Sequence, residues 1–280
     1  MRVAAGEHLT GRLATAFYRA VHSVDPTATE DTLARLPGNS GVQLYESLIA
    51  WAALAPGERV IDIGCGSGGA GRAAAAIVGP DGLVVGVDPS AEALAVARQR
   101  APEELPMAFV RGFAERLPDI PDRSFDCAIA SLVLDEVEDL GAALAEVMRV
   151  LRPGGRFVAS VTAFDQLRPL DASFMGQVLA VVGRRAPGAL AGRATRASIP
   201  YDPVDAAAFA AAGLLTPEAR EVQLAAVMET PDDAWRLFSR THIAHLLDED
   251  GQAELRATLE RRLPHTLYIP LRFLRTRRPG

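Results

Sequence analysis

The run Val60-Ile61-Asp62-Ile63-Gly64-Cys65-Gly66-Ser67-Gly68-Gly69 constrains the fold of this chain more than any other stretch. It starts as a short apolar segment, ends in glycines, and leads into the alanine-rich stretch from Ala70 to Val78. That pattern reads as a buried strand, a tight turn and a helix, the first crossover of a parallel α/β sheet. Glycines let the backbone turn sharply and approach a ligand, and the helix start offers unpaired N–H groups. Gly64, Gly66 and Gly69 also fit the dinucleotide pattern G-x-G-x-x-G, which would seat a pyrophosphate on the helix start. Asp62 argues against a pyrophosphate, because a carboxylate just before the turn repels phosphate and suits a ligand with cationic groups. A second acid, Asp88, ends the next apolar run, Leu83-Val84-Val85-Gly86-Val87, where an acid typically holds ribose hydroxyls.

Two later pieces decide between the ligands. They are Ser124-Phe125-Asp126-Cys127-Ala128-Ile129-Ala130-Ser131 and Leu151-Arg152-Pro153-Gly154-Gly155-Arg156-Phe157. With Asp62-Ile63-Gly64-Cys65-Gly66-Ser67-Gly68 they follow the order and spacing of class I S-adenosylmethionine-dependent methyltransferases. Roughly residues 42 to 161 resemble that family, and within it the bacterial small-molecule and quinone-type subgroup with the domain-11-like core. The resemblance implies a doubly wound, seven-stranded, mostly parallel sheet of Rossmann-like α/β class, S-adenosylmethionine as cofactor and S-adenosylhomocysteine as product.

It also implies site residues. Asp62 would hydrogen-bond, through water or N–H groups, near the methionine ammonium, or else cap its own loop. Gly64, Cys65, Gly66 and Gly68 would supply backbone access, and a side chain on any of these glycines would clash with the ligand. Asp88, with Pro89, would hold the ribose diol. In Gly112-Phe113-Ala114-Glu115 the family's acid after the glycine is replaced by Phe113. Adenine would then stack on Phe113 and be read by the backbone of Ala114. Glu115 is a substitute acceptor or an exposed loop charge. Ser131 would face the transferred methyl. Asp135 and Glu136 stand where the subgroup often has histidines, and each is either a base or a solvent-facing charge at a helix start.

The 280 residues suffice for one large domain or a domain with an insertion. Net charge of −6 gives no support for nucleic-acid binding. No run is apolar for long enough to span a bilayer, and the first residues lack a signal-peptide core. Cys65 and Cys127 read as packing residues in a reducing cytoplasm. All 29 basic residues are arginine, so a lysine Schiff base is ruled out.

Strand–helix alternation predicts a core over 42–163, with a helical lid over 1–41 before it. An insertion over 164–200 follows the fifth strand, longer than an ordinary connection, and is expected to cap the substrate. Residues 201–280 complete the core, with a sixth strand over 221–228, a helix over 231–247, and a last strand, 267–274, closing the sheet as an edge hairpin. Tyr18, on the N-terminal helix, and Trp235, Phe238, His242 and His245, on one face of the helix over 231–247, are expected to line an apolar acceptor pocket. His242 is a candidate base, with plain packing as the alternative. No third ligand matches the two histidines, so no metal is expected. The expected partner is a small-molecule acceptor, with no membrane and a monomeric or homodimeric assembly. The rivals are a same-fold enzyme with another reaction, such as a cyclisation, and a macromolecule methyltransferase.

Overall fold

The computed structural model describes residues 25–32, 36, 43–117, 119–187, 206–239, 244 and 246–280. Among the described residues there are seven strands: β1 (Arg59–Ile63), β2 (Leu83–Asp88), β3 (Met107–Arg111), β4 (Phe125–Ser131), β5 (Leu151–Thr162), β6 (Glu218–Met228) and β7 (His265–Arg277). They form one sheet in the order β3-β2-β1-β4-β5-β7-β6. β1 to β5 pair in parallel, and β7 runs antiparallel to both β5 and β6.

The helices that position the site are α1 (Ala28–Thr32), α2 (Leu44–Ala52), α3 (Gly69–Val78), α4 (Ala91–Arg100) and α5 (Leu140–Val150). The C-terminal half adds α6 (Pro169–Arg185), α7 (Ala206–Ala211), α8 (Pro231–Ser239) and α9 (Glu249–Glu260). α3 packs its small residues, Ala70, Ala74, Ala75 and Val78, into a cluster with Val60, Val84 and Ile129. The opposite face of the sheet buries Ile61, Ile63, Val87 and Ala128 with Leu144 and Val147 of α5. Ser90 and Asp139 cap α4 and α5, their side chains accepting from Ala93 N and Ala142 N.

The expected antiparallel edge hairpin is formed by β6 and β7. β7 inserts between β5 and β6, and the edge falls to β6. The reason lies in burial. β7 hides Leu271 and Phe273 against one face of the sheet and Leu274 against the other, so it needs a neighbour on each side. β6 opens with Glu218, Ala219, Arg220 and Glu221 exposed, which suits an edge.

β5 stops at Thr162, opposite Leu271, while the β6–β7 ladder continues to Met228 and His265. The hairpin therefore projects past the carboxyl ends of the parallel strands. Around that projection α6, α8 and α9 bury a third cluster that includes Phe174, Val182, Leu237, Phe238, Leu255 and Leu267. Arg184 and Arg185, from the expected arginine-rich insertion, pair with Glu254 of α9. Tyr18, His242, His245 and the stretch 188–205 lie outside the described residues.

Candidate active site

Strand order reverses between β1 and β4, and a ligand of an open α/β sheet sits in the crevice at such a point. A cleft of about 1010 Å³, open mouth included, lies there. Its floor is Gly64, Cys65, Gly66 and Ser67. One end is formed by Asp88, Pro89, Ser90 and the loop from Gly112 to Glu115. Pro26, Glu30 and Tyr45, which precede β1 in the chain, also line the cleft. The mouth is Ser131, Leu132, Val133, Glu136 and Val137.

The turn after β1 is held by local geometry. Gly64 N and Cys65 N both donate to Val87 O, at 2.7 and 3.0 Å. Gly64 has φ +69°, and a Cβ there would lie 2.3 Å from Val133 Cγ2. Gly66 has φ +51°, and a Cβ there would meet nothing within 4 Å, so its backbone faces open space over the cleft floor. That open cradle beside a buried acid fits an adenosyl ligand. Gly68 differs from the expectation. It does not line the cleft, and a Cβ on it would press on Ala97 and Arg72, so it serves the N-cap of α3 at φ +88°.

Asp88 is buried at the end of β2, and both its oxygens accept from backbone. Oδ2 takes Gly66 N and Oδ1 takes Ser90 N, each at 2.8 Å. Asp88 thus ties the glycine turn to the start of α4 at the margin of the cleft.

Asp62 does not line the cleft. Strand alternation turns it to the face that carries Val60, beneath α3, where its Oδ2 would lie 3.0 Å from a Cβ on Gly71. It is 1% exposed and Oδ2 has no hydrogen-bond partner. Burial pushes its carboxyl up to about 7, the backbone N–H of Gly71 opposes this, and the charge of Asp88 adds to it. Burial also raises the Cys65 thiol, which stays protonated on the cleft floor.

Phe113 is 43% exposed and lies at the same end as Asp88, with Ala114 and Glu115 beside it. Glu115 is engaged as well, its Oε1 accepting from Glu138 N at 2.7 Å. At the mouth the two acids separate. Glu136 lines the cleft, whereas Asp135 Oδ2 accepts from Thr162 N at 2.9 Å and fastens the loop to the end of β5. Ser131 Oγ pairs with Ser160 Oγ at 3.1 Å. Ser160 also takes Leu132 N on its carbonyl oxygen, which holds Leu132 at φ +58°, a left-handed conformation that costs a leucine about 1–2 kcal/mol.

Trp235 and Phe238 are not walls of this cleft. Phe238 is 2% exposed and packs on Phe174 with ring centroids 6.0 Å apart. Trp235 lies against the same cluster, with Arg256 over its ring at 5.0 Å. The amphipathic face of α8 is spent on the C-terminal cluster, and among the described residues the aromatics that reach the cleft are Phe113 and Tyr45. The Tyr45 ring covers the start of α3, where a Cβ on Gly69 would meet it at 2.2 Å. Glu30, Tyr45, Ser67 and Ser160 were not legible as site residues. Tyr45 lies in the first turn of α2, the helix that leads into β1.

Residues 61–159 match a protein-family model described as a methyltransferase domain. A 2-phytyl-1,4-naphtoquinone methyltransferase of Synechocystis sp. is 37% identical over 137 residues, 48% of this chain and 57% of that protein. A demethylmenaquinone methyltransferase of Symbiobacterium thermophilum is 36% identical over 117 residues, 41% of this chain and 46% of that protein. The matched stretch thus spans about half the length of these relatives. Among solved structures, the [4+2]-cyclase SpnF superposes with a TM-score of 0.57 at 21% identity, over 99% of each chain, a likeness of fold. The ordered set of glycine turn, Asp88 and Ser131, placed around one cleft, agrees with the match of residues 61–159 to that methyltransferase-domain model.

Proposed function

We propose that this protein is an S-adenosylmethionine-dependent methyltransferase acting on a small organic acceptor of quinone-like or natural-product type. The carrying observation is the cleft itself. A diol-accepting carboxylate, Asp88, stands at one end, an open glycine floor at Gly66 lies between, and Leu132, Val133 and Val137 form an apolar mouth. When bound, S-adenosylmethionine supplies a methyl carbon activated by a sulfonium. The chain's task is then to align the acceptor with that carbon and to keep water away. Leu132 and Val133 supply the dry wall. Phe113 offers a ring face to adenine. Glu136 takes the proton an acceptor hydroxyl loses as its oxygen bonds the methyl carbon. Asp135, committed to Thr162 N, positions that loop. His242 is the alternative base, and the segments 164–200 and 231–247 are proposed as the cap.

No helix among the described residues is long and apolar enough to cross a membrane. Two buried free cysteines and net charge −6 support a cytoplasmic enzyme of small molecules without nucleic-acid partners, and a monomer or homodimer is the proposed assembly. The test is transfer of a labelled methyl from S-adenosylmethionine to a panel of naphthoquinols, phenols and amines. Glu136→Gln should lower turnover on the accepted substrate by roughly 10²–10⁴-fold with cofactor affinity intact. A cleft that binds S-adenosylmethionine yet methylates no acceptor, while rearranging a polyene, would favour the cyclase-type alternative.

A further inference from the structure

Resting on the adenosyl-ligand reading above, the geometry points to Glu30 and Arg72 as the pair that recognises the amino-acid end of the cofactor, Glu30 taking the ammonium and Arg72 the carboxylate. Asp88 with the loop from Gly112 to Glu115 takes the sugar and base. Four acids line the cleft among the described residues, Glu30, Asp88, Glu115 and Glu136, and Glu30 is the one that meets the glycine floor at Ser67 and carries an arginine partner. Asp62, expected near the ammonium, is shut beneath α3 and cannot reach it.

Glu30 comes from α1, 37 residues before the turn it touches. Its Oε2 accepts from Ser67 Oγ at 2.5 Å, and its Oε1 accepts from the Arg72 guanidinium. Arg72 Nη1 also donates to Ser67 O at 2.8 Å, and Arg100 Nη1 stands 3.3 Å from Glu30 Oε2. Glu30 lines the cleft, and Arg72 lines a second recess beside it, which shares Glu30 and Tyr45 with the cleft and is completed by Gln43, Glu46, Gly69 and Ala73. An anion and a cation side by side form the complement of a zwitterion, each able to exchange its partner for the opposite charge of the ligand. Burial, with the charge of Glu30 next, keeps the Tyr45 hydroxyl protonated as a neutral neighbour.

The test is calorimetric titration of the intact wild-type and Glu30→Gln proteins with three ligands. S-adenosylhomocysteine carries both charges, decarboxylated S-adenosylmethionine keeps an ammonium without the carboxylate, and 5′-methylthioadenosine has neither. The variant should bind S-adenosylhomocysteine roughly 10-fold more weakly, the decarboxylated ligand at least as much more weakly, and methylthioadenosine unchanged. Equal weakening of all three, or of none, overturns the assignment. A wild-type protein that binds none of the three overturns the adenosyl reading itself, a different failure. Should Glu30→Gln not fold, Glu30→Asp, which draws the charge back by one methylene, makes the same comparison.

Discussion

Substituting Asp88 tests whether one carboxylate both builds the cleft and binds in it. Its two oxygens hold Gly66 N and Ser90 N at 2.8 Å in a site 5% exposed. A hydrogen bond to a charged acceptor contributes about 1.5–3 kcal/mol, so Asp88→Ala loses about 3–6 kcal/mol. That approaches the whole stability of a domain, about 5–15 kcal/mol, and would confuse unfolding with lost binding. Asp88→Asn is the better perturbation. Its oxygen still accepts from Ser90 N, but its NH₂ meets Gly66 N, donor against donor. The expected loss is about 1.5–3 kcal/mol, at the lower end because the charge that disfavours ionised Asp62 is removed as well. Urea unfolding with linear extrapolation reads this as a lower midpoint at unchanged slope. Calorimetry should find S-adenosylhomocysteine bound roughly 10–100-fold more weakly. A variant within about 0.5 kcal/mol of wild type, with unchanged affinity, would refute both roles of Asp88.

Three further outcomes follow from the same geometry. Gly64→Ala combines a left-handed φ with a Cβ 2.3 Å from Val133, costing about 2–5 kcal/mol in unfolding experiments, and adding Val133→Ala should recover the packing part but not the backbone part. Asp62 keeps its proton to about pH 7 in the folded protein, whereas an unfolded chain releases it near 4. The native state thus binds more protons between those values, and its stability falls as pH rises through that window, by on the order of 4 kcal/mol at most. Asp62→Asn should flatten that part of the stability profile, and an unchanged profile would mean Asp62 is ionised throughout. Phe238→Ala should cost about 3–5 kcal/mol by opening a cavity beside Phe174, with S-adenosylhomocysteine affinity unchanged, and a loss of affinity at full stability would restore Phe238 to the site.

The parallel core and many of the residues that line its cleft were legible because their signals are local. An apolar run, a glycine turn and an alanine-rich helix declare a crossover within about twenty residues, and the acids at strand ends keep their spacing in the chain. The cleft-lining Gly64, Cys65, Gly66, Asp88, Pro89, Phe113, Ala114, Glu115, Ser131 and Glu136 all come from such stretches. Tertiary structure decided what local pattern cannot carry. Whether β7 lies outside or inside β6 depends on which strand needs two buried faces, and both strands alternate in the same way. Trp235 and Phe238 share a helix face under either reading, and only the packing of α6 and α9 assigns that face to a core. Asp62 stands two residues before the cleft floor, yet strand parity turns it beneath α3. Glu30 reaches Ser67 and Arg72 across a separation of 37 and 42 residues, with no periodicity or motif to announce it, because an ion pair formed by chain return leaves no trace in either local sequence.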